Sequence, residues 1–355
     1  MNEGKTLIKG LFSLIGLMFW SQLCLGQNQT LFDSEEILEI NLKGDFNKLF
    51  KNTKGEPQYF DFSMGLADSS GTRIAVPLRI RTRGHFRREM NICDYPPLLL
   101  NFSNAETENT VFHGQDKLKL VMPCVDEKYV LREFYAYKLY NLLTGKSFKV
   151  RLVRLTILDQ SEKEKQYEPL LCFLIEDEEQ MAERNQMTSL DQELIRPEKI
   201  EPDDFHRMAV FQYLIGNTDW SIQYRQNIKL MKSSGMENPI AVPYDFDHSG
   251  IVAAPYAKPA PELLLKYVTD RRYRGYCIED MRYFEKTFSD FNSQKGAIYT
   301  LYSSSKLLDE KSIRSTLKFL DDFYETINDP KKSKYDFQYP CRPDGTGNIV
   351  IKGLK

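Results

Sequence analysis

Residues 213–250, YLIGNTDWSIQYRQNIKLMKSSGMENPIAVPYDFDHSG, constrain this chain more than any other stretch. An amphipathic run ends in Asn217-Thr218-Asp219, a short loop follows, and Asn227 opens an apolar strand. A glycine-containing turn then leads into a second strand ending in Tyr244-Asp245-Phe246-Asp247. Two strands that each deliver an acid or an amide to one end of a hairpin define a divalent-cation site beside a candidate base. Carboxylates and a carboxamide are what a hard cation such as Mg²⁺ takes. A loop Asp, an Asn and a further Asp are also the residue types of kinase-like phosphoryl transfer. On an extended backbone Asp245 and Asp247 share one face while Phe246 turns to the core. The bland alternative is a hairpin with acids at its solvated mouth, since Asp and Asn are common turn residues.

What precedes the loop favours a built site. Phe205, Met208, Ala209, Phe211, Gln212 and Ile215 line one side of a helix that starts at Glu201-Pro202-Asp203-Asp204. Acids and a proline are good first-turn residues. Asp219 therefore sits where a buried helix ends, and Trp220, one of two tryptophans, can pin the loop with its large amphipathic ring.

With these residues in place the chain resembles the spore-coat protein H (CotH) kinase-like family, and more distantly the HipA-type kinases. Five blocks carry the resemblance, over roughly residues 75–335. They are Arg83-Gly84 in RTRGHFRRE, Pro97–Phe102 (PLLLNF), Lys117–Val121 with Leu131-Arg132-Glu133, the strand Leu170–Glu176, and the NTD…N…YDFD set. The last block is the specific one. The resemblance implies an α+β, two-lobed protein-kinase-like fold, with an antiparallel β-rich N-lobe holding one helix and a mainly helical C-lobe. It implies Asp219 as the catalytic residue, Asn227 and Asp245 as metal ligands, and Mg²⁺ (or Mn²⁺) with ATP as cofactors. A protein hydroxyl would be the acceptor. Asp247 would be a second ligand or a cap on the next loop, and Arg83 with the Gly84 amide would grip phosphate. Five arginines at 79, 81, 83, 87 and 88 around a glycine suit a phosphate-gripping turn, or a solvated strand face.

The sequence departs from the family pattern in three places. Arg83-Gly84 is followed by His85-Phe86 rather than by a small hydroxyl residue. Where the family carries lysines, this chain reads Cys93-Asp94-Tyr95-Pro96-Pro97, leaving Arg87, Arg88, Lys117 or Lys119 as substitutes for a phosphate-positioning cation. Asp219 and Asn227 stand eight apart against about five in protein kinases, so their loop has to bulge by about three residues. Glu133 either pairs with the phosphate-positioning cation or is an exposed first-turn Glu. Glu176 begins the acidic run 176–179, which is either a hinge that meets an adenine edge or a plain solvated turn.

Composition bounds the rest. With Lys+Arg 48 against Asp+Glu 50 there is no basic excess, which argues against nucleic-acid binding. Lys5 and Lys9 precede the apolar run Leu11–Leu25, and small residues at Cys24-Leu25-Gly26 fit a signal peptide over 1–26. The chain is thus expected to be exported to the periplasm or cell exterior, with no membrane span once that segment is removed. Of the five remaining cysteines, none has metal-type spacing. Cys172, inside LLCFLI, reads as a buried thiol. Cys93 and Cys124 flank corresponding ends of two candidate neighbouring strands and are expected to pair in an oxidising compartment, with Cys277 and Cys341 as the second pair.

The remaining organisation is a lead over 27–60 with an amphipathic segment Ile37–Leu49, an N-lobe over 61–176, a C-lobe over 177–335 and a tail over 336–355, with the chain expected to be loosely ordered from Pro330 on. Strands are expected at Tyr59–Met64, Ile74–Thr82, Leu98–Phe102, Lys117–Met122, Lys149–Leu158 and Leu170–Glu176, interrupted by one helix at Tyr129–Leu143. Helices follow at Glu178–Gln186, Asp203–Ile215, Cys277–Phe288, Ser293–Tyr302 and Glu310–Ile327. A rival from another class is an exported pseudokinase or surface binding protein with the same fold and no catalysis. A metal-dependent hydrolase is disfavoured because no histidine accompanies the carboxylates.

Overall fold

The computed structural model describes residue 1 and residues 30–343, except 68–70, 85, 90–92, 94 and 162–164. Residues 2–26, expected to be a signal peptide, and residues 344–355 of the expected tail lie outside the described residues. The first half of the chain is strand-rich: β1 (Leu38–Gly44), α1 (Phe46–Lys51), β2 (Phe60–Ala67), β3 (Arg73–Thr82), α2 (Phe86–Glu89), β4 (Leu98–Phe102), α3 (Asn104–Thr107) and β5 (Lys117–Val121). The long helix α4 (Glu127–Leu143) follows, then β6 (Val150–Asp159), β7 (Lys165–Gln166) and β8 (Leu170–Ile175). The second half is mainly helical, with α5 (Glu178–Arg184), β9 (Thr188–Ser189), α6 (Pro202–Leu214), β10 (Ile228–Lys232) and β11 (Ile240–Pro243). It closes with α7 (Arg282–Ser303), α8 (Glu310–Asn328) and α9 (Pro330–Phe337).

The fold is α+β, but the strand-rich half is a closed barrel rather than an open antiparallel sheet. Its order is β1-β2-β3-β4-β5-β8-β6, and β6 pairs back onto β1. That closing pair is parallel, running from Leu38↔Val153 to Gly44↔Asp159. Closure removes the exposed edges that an open sheet would have to protect. The expected lead is therefore part of the barrel. In β1 the order Leu38-Glu39-Ile40-Asn41-Leu42-Lys43 alternates apolar and polar, and Ile40 and Leu42 are buried in the barrel interior. Asp45 then accepts from the Lys48 N–H and caps α1, whose Phe46 and Leu49 seal one end.

β8 explains why LLCFLI is apolar at every position. Cys172 and Leu174 point into the barrel, while Leu171, Phe173 and Ile175 face the second core around α4. A strand covered on both faces reads as a continuous apolar run. Phe134 and Tyr137 of α4 pack edge-on against Phe173 at 6.0 and 5.7 Å, so this helix joins the barrel to the helical half. Arg132 extends the joint by donating to the Val252 carbonyl at 3.2 Å and to Ser312 Oγ at 2.9 Å.

Two further corrections concern the C-terminal half. The expected helices Cys277–Phe288 and Ser293–Tyr302 form the single helix α7, because Phe284, Thr287, Phe291, Ile298 and Tyr302 keep helical spacing through the polar middle. The segment from Pro330, expected to be loose, forms α9: Asp329 accepts from the Lys331 and Lys332 N–H groups, and Phe337 is fully buried. Among the described residues no helix is long and apolar enough to cross a membrane.

Both expected disulfides are present, Cys93–Cys124 and Cys277–Cys341, and Cys172 is a buried free thiol. The second bridge closes a loop of 64 residues in sequence and fastens the end of α9 to the lead-in of α7. Replacing both Cys277 and Cys341 by Ser is expected to lower the unfolding free energy by about 2–5 kcal/mol. Urea titration checks this, and a change below about 1 kcal/mol would mean that packing of Phe337 alone holds α9.

Candidate functional site

α6 ends at a turn that aims the loop. The Asn217 N–H donates to the Gln212 carbonyl at 2.8 Å, and Asn217 Nδ2 donates to Gln212 Oε1 at 3.0 Å. Asn217 Oδ1 in turn accepts from the Asp219 N–H at 2.9 Å. Arg274 donates to the carbonyls on either side of Asp219, Thr218 and Trp220, the latter at 2.7 Å. The backbone of Asp219 is thereby clamped from two directions.

The eight-residue spacing to Asn227 is absorbed by a small turn. Ser221 and Gln226 form an isolated antiparallel bridge with mutual N–H···O bonds of 3.0 and 2.9 Å; of the residues between them Ile222 is buried in the core and Tyr224 is exposed. Arg225 and Asn227 take positive φ, 50° and 51°, to bring the chain back into β10. Asn227 Nδ2 then donates to Asp219 Oδ2 at 3.0 Å and to its carbonyl at 2.8 Å, while Gln226 donates to Asp219 Oδ1. Both carboxylate oxygens are held by amides, and Asn227 Oδ1 accepts no hydrogen bond among the described residues. Burial pushes the Asp219 carboxyl up to about 6, with Asp245 and Asp247 adding to the rise and His248 and Arg274 opposing it.

β11 brings in the second pair of acids by a route the alternation argument does not describe. The strand ends at Pro243, and Asp245 has φ 62°, so the triplet is not extended. Phe246 is still buried, against Tyr137 at 4.5 Å and Phe211 at 5.3 Å, and the Tyr137 hydroxyl accepts from the Asp245 N–H at 2.8 Å. Asp245 and Asp247 therefore converge on one region after all. Arg87 of α2 reaches both, 3.7 Å from Asp245 Oδ1 and 3.4 Å from Asp247 Oδ2. Burial and the Asp247 charge raise the Asp245 carboxyl. Burial acts the same way on Asp247, but Arg87, His248 and the Tyr256 hydroxyl outweigh it and hold that carboxyl below the usual range.

Glu133 is not an exposed first-turn residue. It lies in the second turn of α4, is 2% exposed, and its Oε1 has no hydrogen-bond partner among the described residues. Burial keeps its carboxyl well above the ordinary value, the Arg87 charge opposing. It belongs to the group around Arg87.

The expected phosphate-gripping residues divide. Lys119, on β5, lies over the Tyr244 ring at 4.7 Å and has no ion pair among the described residues. Burial lowers its ammonium to about 8, helped by the nearby Arg83 and Lys229. Arg83 likewise has no ion pair among the described residues, and its charge acts on Asp245, Lys119 and Tyr244. Gly84 is exposed at φ 79°. Two other residues are committed elsewhere. Lys117 is exposed and pairs with Asp116 at 3.2 Å. Glu176 accepts from Arg184 at 2.9 and 2.8 Å and from the Lys149 N–H, while its own N–H donates to the Lys149 carbonyl. Gln226 and Arg274 carry no motif spacing and are visible only in the folded chain.

No family model matches this chain, and no curated protein matches it. Among solved structures the chain is similar to the crystal structure of a Helicobacter pylori proinflammatory kinase, CtkA. The TM-score is 0.38 at 12% identity, covering 68% of this chain and 91% of that one.

Proposed function

We propose that this protein is an exported, CotH-like atypical kinase of two-lobed form, transferring phosphate from Mg²⁺-bound ATP to a protein hydroxyl. The observation that carries the proposal is the contact between Asp219 and Asn227. Residues eight apart in sequence are joined by a 3.0 Å hydrogen bond, the intervening turn being closed by the Ser221–Gln226 bridge. Around them stand two further acids and two cations without ion pairs among the described residues, Arg83 and Lys119.

Among the described residues no three acids, histidines or cysteines gather into a metal-holding group, so the implied cation would rest on two acids and an amide. Asn227 Oδ1, Asp245 and Asp247 offer the oxygen donors that Mg²⁺ or Mn²⁺ prefers. When bound there, the ion would neutralise charge on the phosphates. Asp219, oriented by Gln226 and Asn227, positions the acceptor hydroxyl and takes its proton. Lys119 and Arg83 hold phosphate oxygens through charge-assisted hydrogen bonds. The two disulfides are compatible with an oxidising compartment outside the cytoplasm.

Lys119 supplies a test. Its ammonium is charged below about 8, so ATP affinity is expected to fall as pH rises through that value. Lys119→Met should weaken a fluorescent ATP analogue by roughly 10–100-fold at pH 7, the weight of one hydrogen bond to a charged group, and should flatten the pH dependence. Unchanged affinity in the variant would remove Lys119 from the phosphate site.

A second reading, the pseudokinase or surface binding protein, is favoured by one specific observation. Arg87 pairs with both acids that would hold the metal.

A further inference from the structure

Arg87 is placed with some care. Its neighbour Arg88, 3% exposed, donates to the Gly55 carbonyl at 2.8 Å, to Thr82 Oγ1 at 3.1 Å and to the Asn52 carbonyl at 3.2 Å. On either side of the two arginines in sequence, the Arg83 N–H donates to the Pro97 carbonyl at 2.9 Å and Cys93 is bridged to Cys124. The Arg87 side chain is only 9% exposed, so its guanidinium is enclosed among the acids and not lying on a surface. The Tyr256 hydroxyl donates to the same Asp247 oxygen at 3.0 Å.

A guanidinium and a divalent cation seek the same carboxylate oxygens, and a buried acid pair accepts one or the other. We propose that Arg87 is an intramolecular latch: it holds the divalent-cation position, and a metal binds only when Arg87 swings away from Asp245 and Asp247. The latch presupposes that these two acids are the metal ligands, as proposed above. Glu133 is buried in the same group, and its Oε1 has no hydrogen-bond partner among the described residues. A dication brings two positive charges to Asp245 and Asp247 where the guanidinium brings one, which gives the exchange a driving force. The released guanidinium is then free to bond a phosphate, which Arg favours through its planar fork. Metal and polyphosphate consequently open the latch together: each removes one partner of the ion pair that excludes the other. By linkage, each raises the affinity of the other. Metal alone binds weakly, its apparent affinity reduced by the fraction of molecules with the latch open.

The test is Mn²⁺ binding without nucleotide, followed by loss of the free-ion electron paramagnetic resonance signal in the full exported chain. Arg87→Gln is expected to bind Mn²⁺ at least ~10-fold more tightly than the wild type, and Arg87→Lys to lie between, its shorter, differently shaped cation fitting the two acids less well. Adding ATP should tighten Mn²⁺ binding in the wild type far more than in Arg87→Gln. Equal or weaker Mn²⁺ binding in Arg87→Gln, with binding still abolished by Asp245→Asn, would overturn the latch and leave the metal ligands standing. No Mn²⁺ binding in either protein, both folded by their melting profiles, would remove the ligand assignment and the latch with it.

Discussion

Asp219→Asn is expected to reduce phosphate transfer by roughly 10²–10⁴-fold, the usual weight of a positioned base, while nucleotide and metal still bind. The substitution keeps the size of the side chain but replaces one of its two acceptor oxygens by an NH2 that faces the Gln226 or Asn227 donor, so one of these hydrogen bonds is lost along with the base. It also has a signature without metal or substrate. The folded protein holds the Asp219 proton up to about 6, against 3.8 for the free side chain. Between those values the native state binds more protons than the unfolded one, so stability falls as pH rises through the interval. Asp219→Asn removes that contribution, so its stability relative to the wild type should rise between pH 4 and pH 7, on top of the pH-independent cost of the lost hydrogen bond. Steady-state transfer rates and melting curves at pH 4 and 7 check both parts. A variant that transfers at the wild-type rate would exclude Asp219 as the base.

Phe246→Ala is expected to destabilise the protein by about 3–5 kcal/mol, the cost of emptying a buried aromatic site. Phe246 is fully buried between Tyr137 and Phe211, where α4, α6 and the loop after β11 meet. Its ring packs on Tyr137, whose hydroxyl accepts from the Asp245 N–H, so the acids on either side are expected to lose their common orientation. Urea unfolding gives the stability change, and metal affinity in the folded fraction gives the second effect. A loss below about 1 kcal/mol would mean that the loop is placed by Arg87 and Tyr137 alone.

The fold was legible where the pattern is local. α6 carries its acids and proline in the first turn and its apolar positions at helical spacing, and β10 and β11 are apolar runs parted by a glycine turn. Barrel closure has no such signal, because β1 and β6 pair across more than a hundred residues. The period-two alternation of Leu38–Lys43 marks a strand all the same, and it loses its meaning only when read as part of a longer amphipathic segment. The polar middle of α7 mimics a helix break, although Phe284, Phe291, Ile298 and Tyr302 keep one buried face. In the candidate site, residue type and spacing suffice to gather Asp219, Asn227, Asp245 and Asp247. They do not reveal that positive φ at Asp245, rather than strand alternation, makes the acids converge. Nor do they reveal Gln226, Arg274 or the ion pairs of Arg87, since these contacts join segments with no fixed separation in sequence.

The most direct measurement is incorporation of labelled phosphate from γ-labelled ATP by the purified chain with intact disulfides, in Mg²⁺ or Mn²⁺ and again in excess chelator. Metal-dependent labelling of the protein itself or of an added protein acceptor, absent with chelator and absent in Asp219→Asn, is the expected result. A folded wild-type protein that neither binds ATP nor transfers label under any of these conditions would contradict the kinase account.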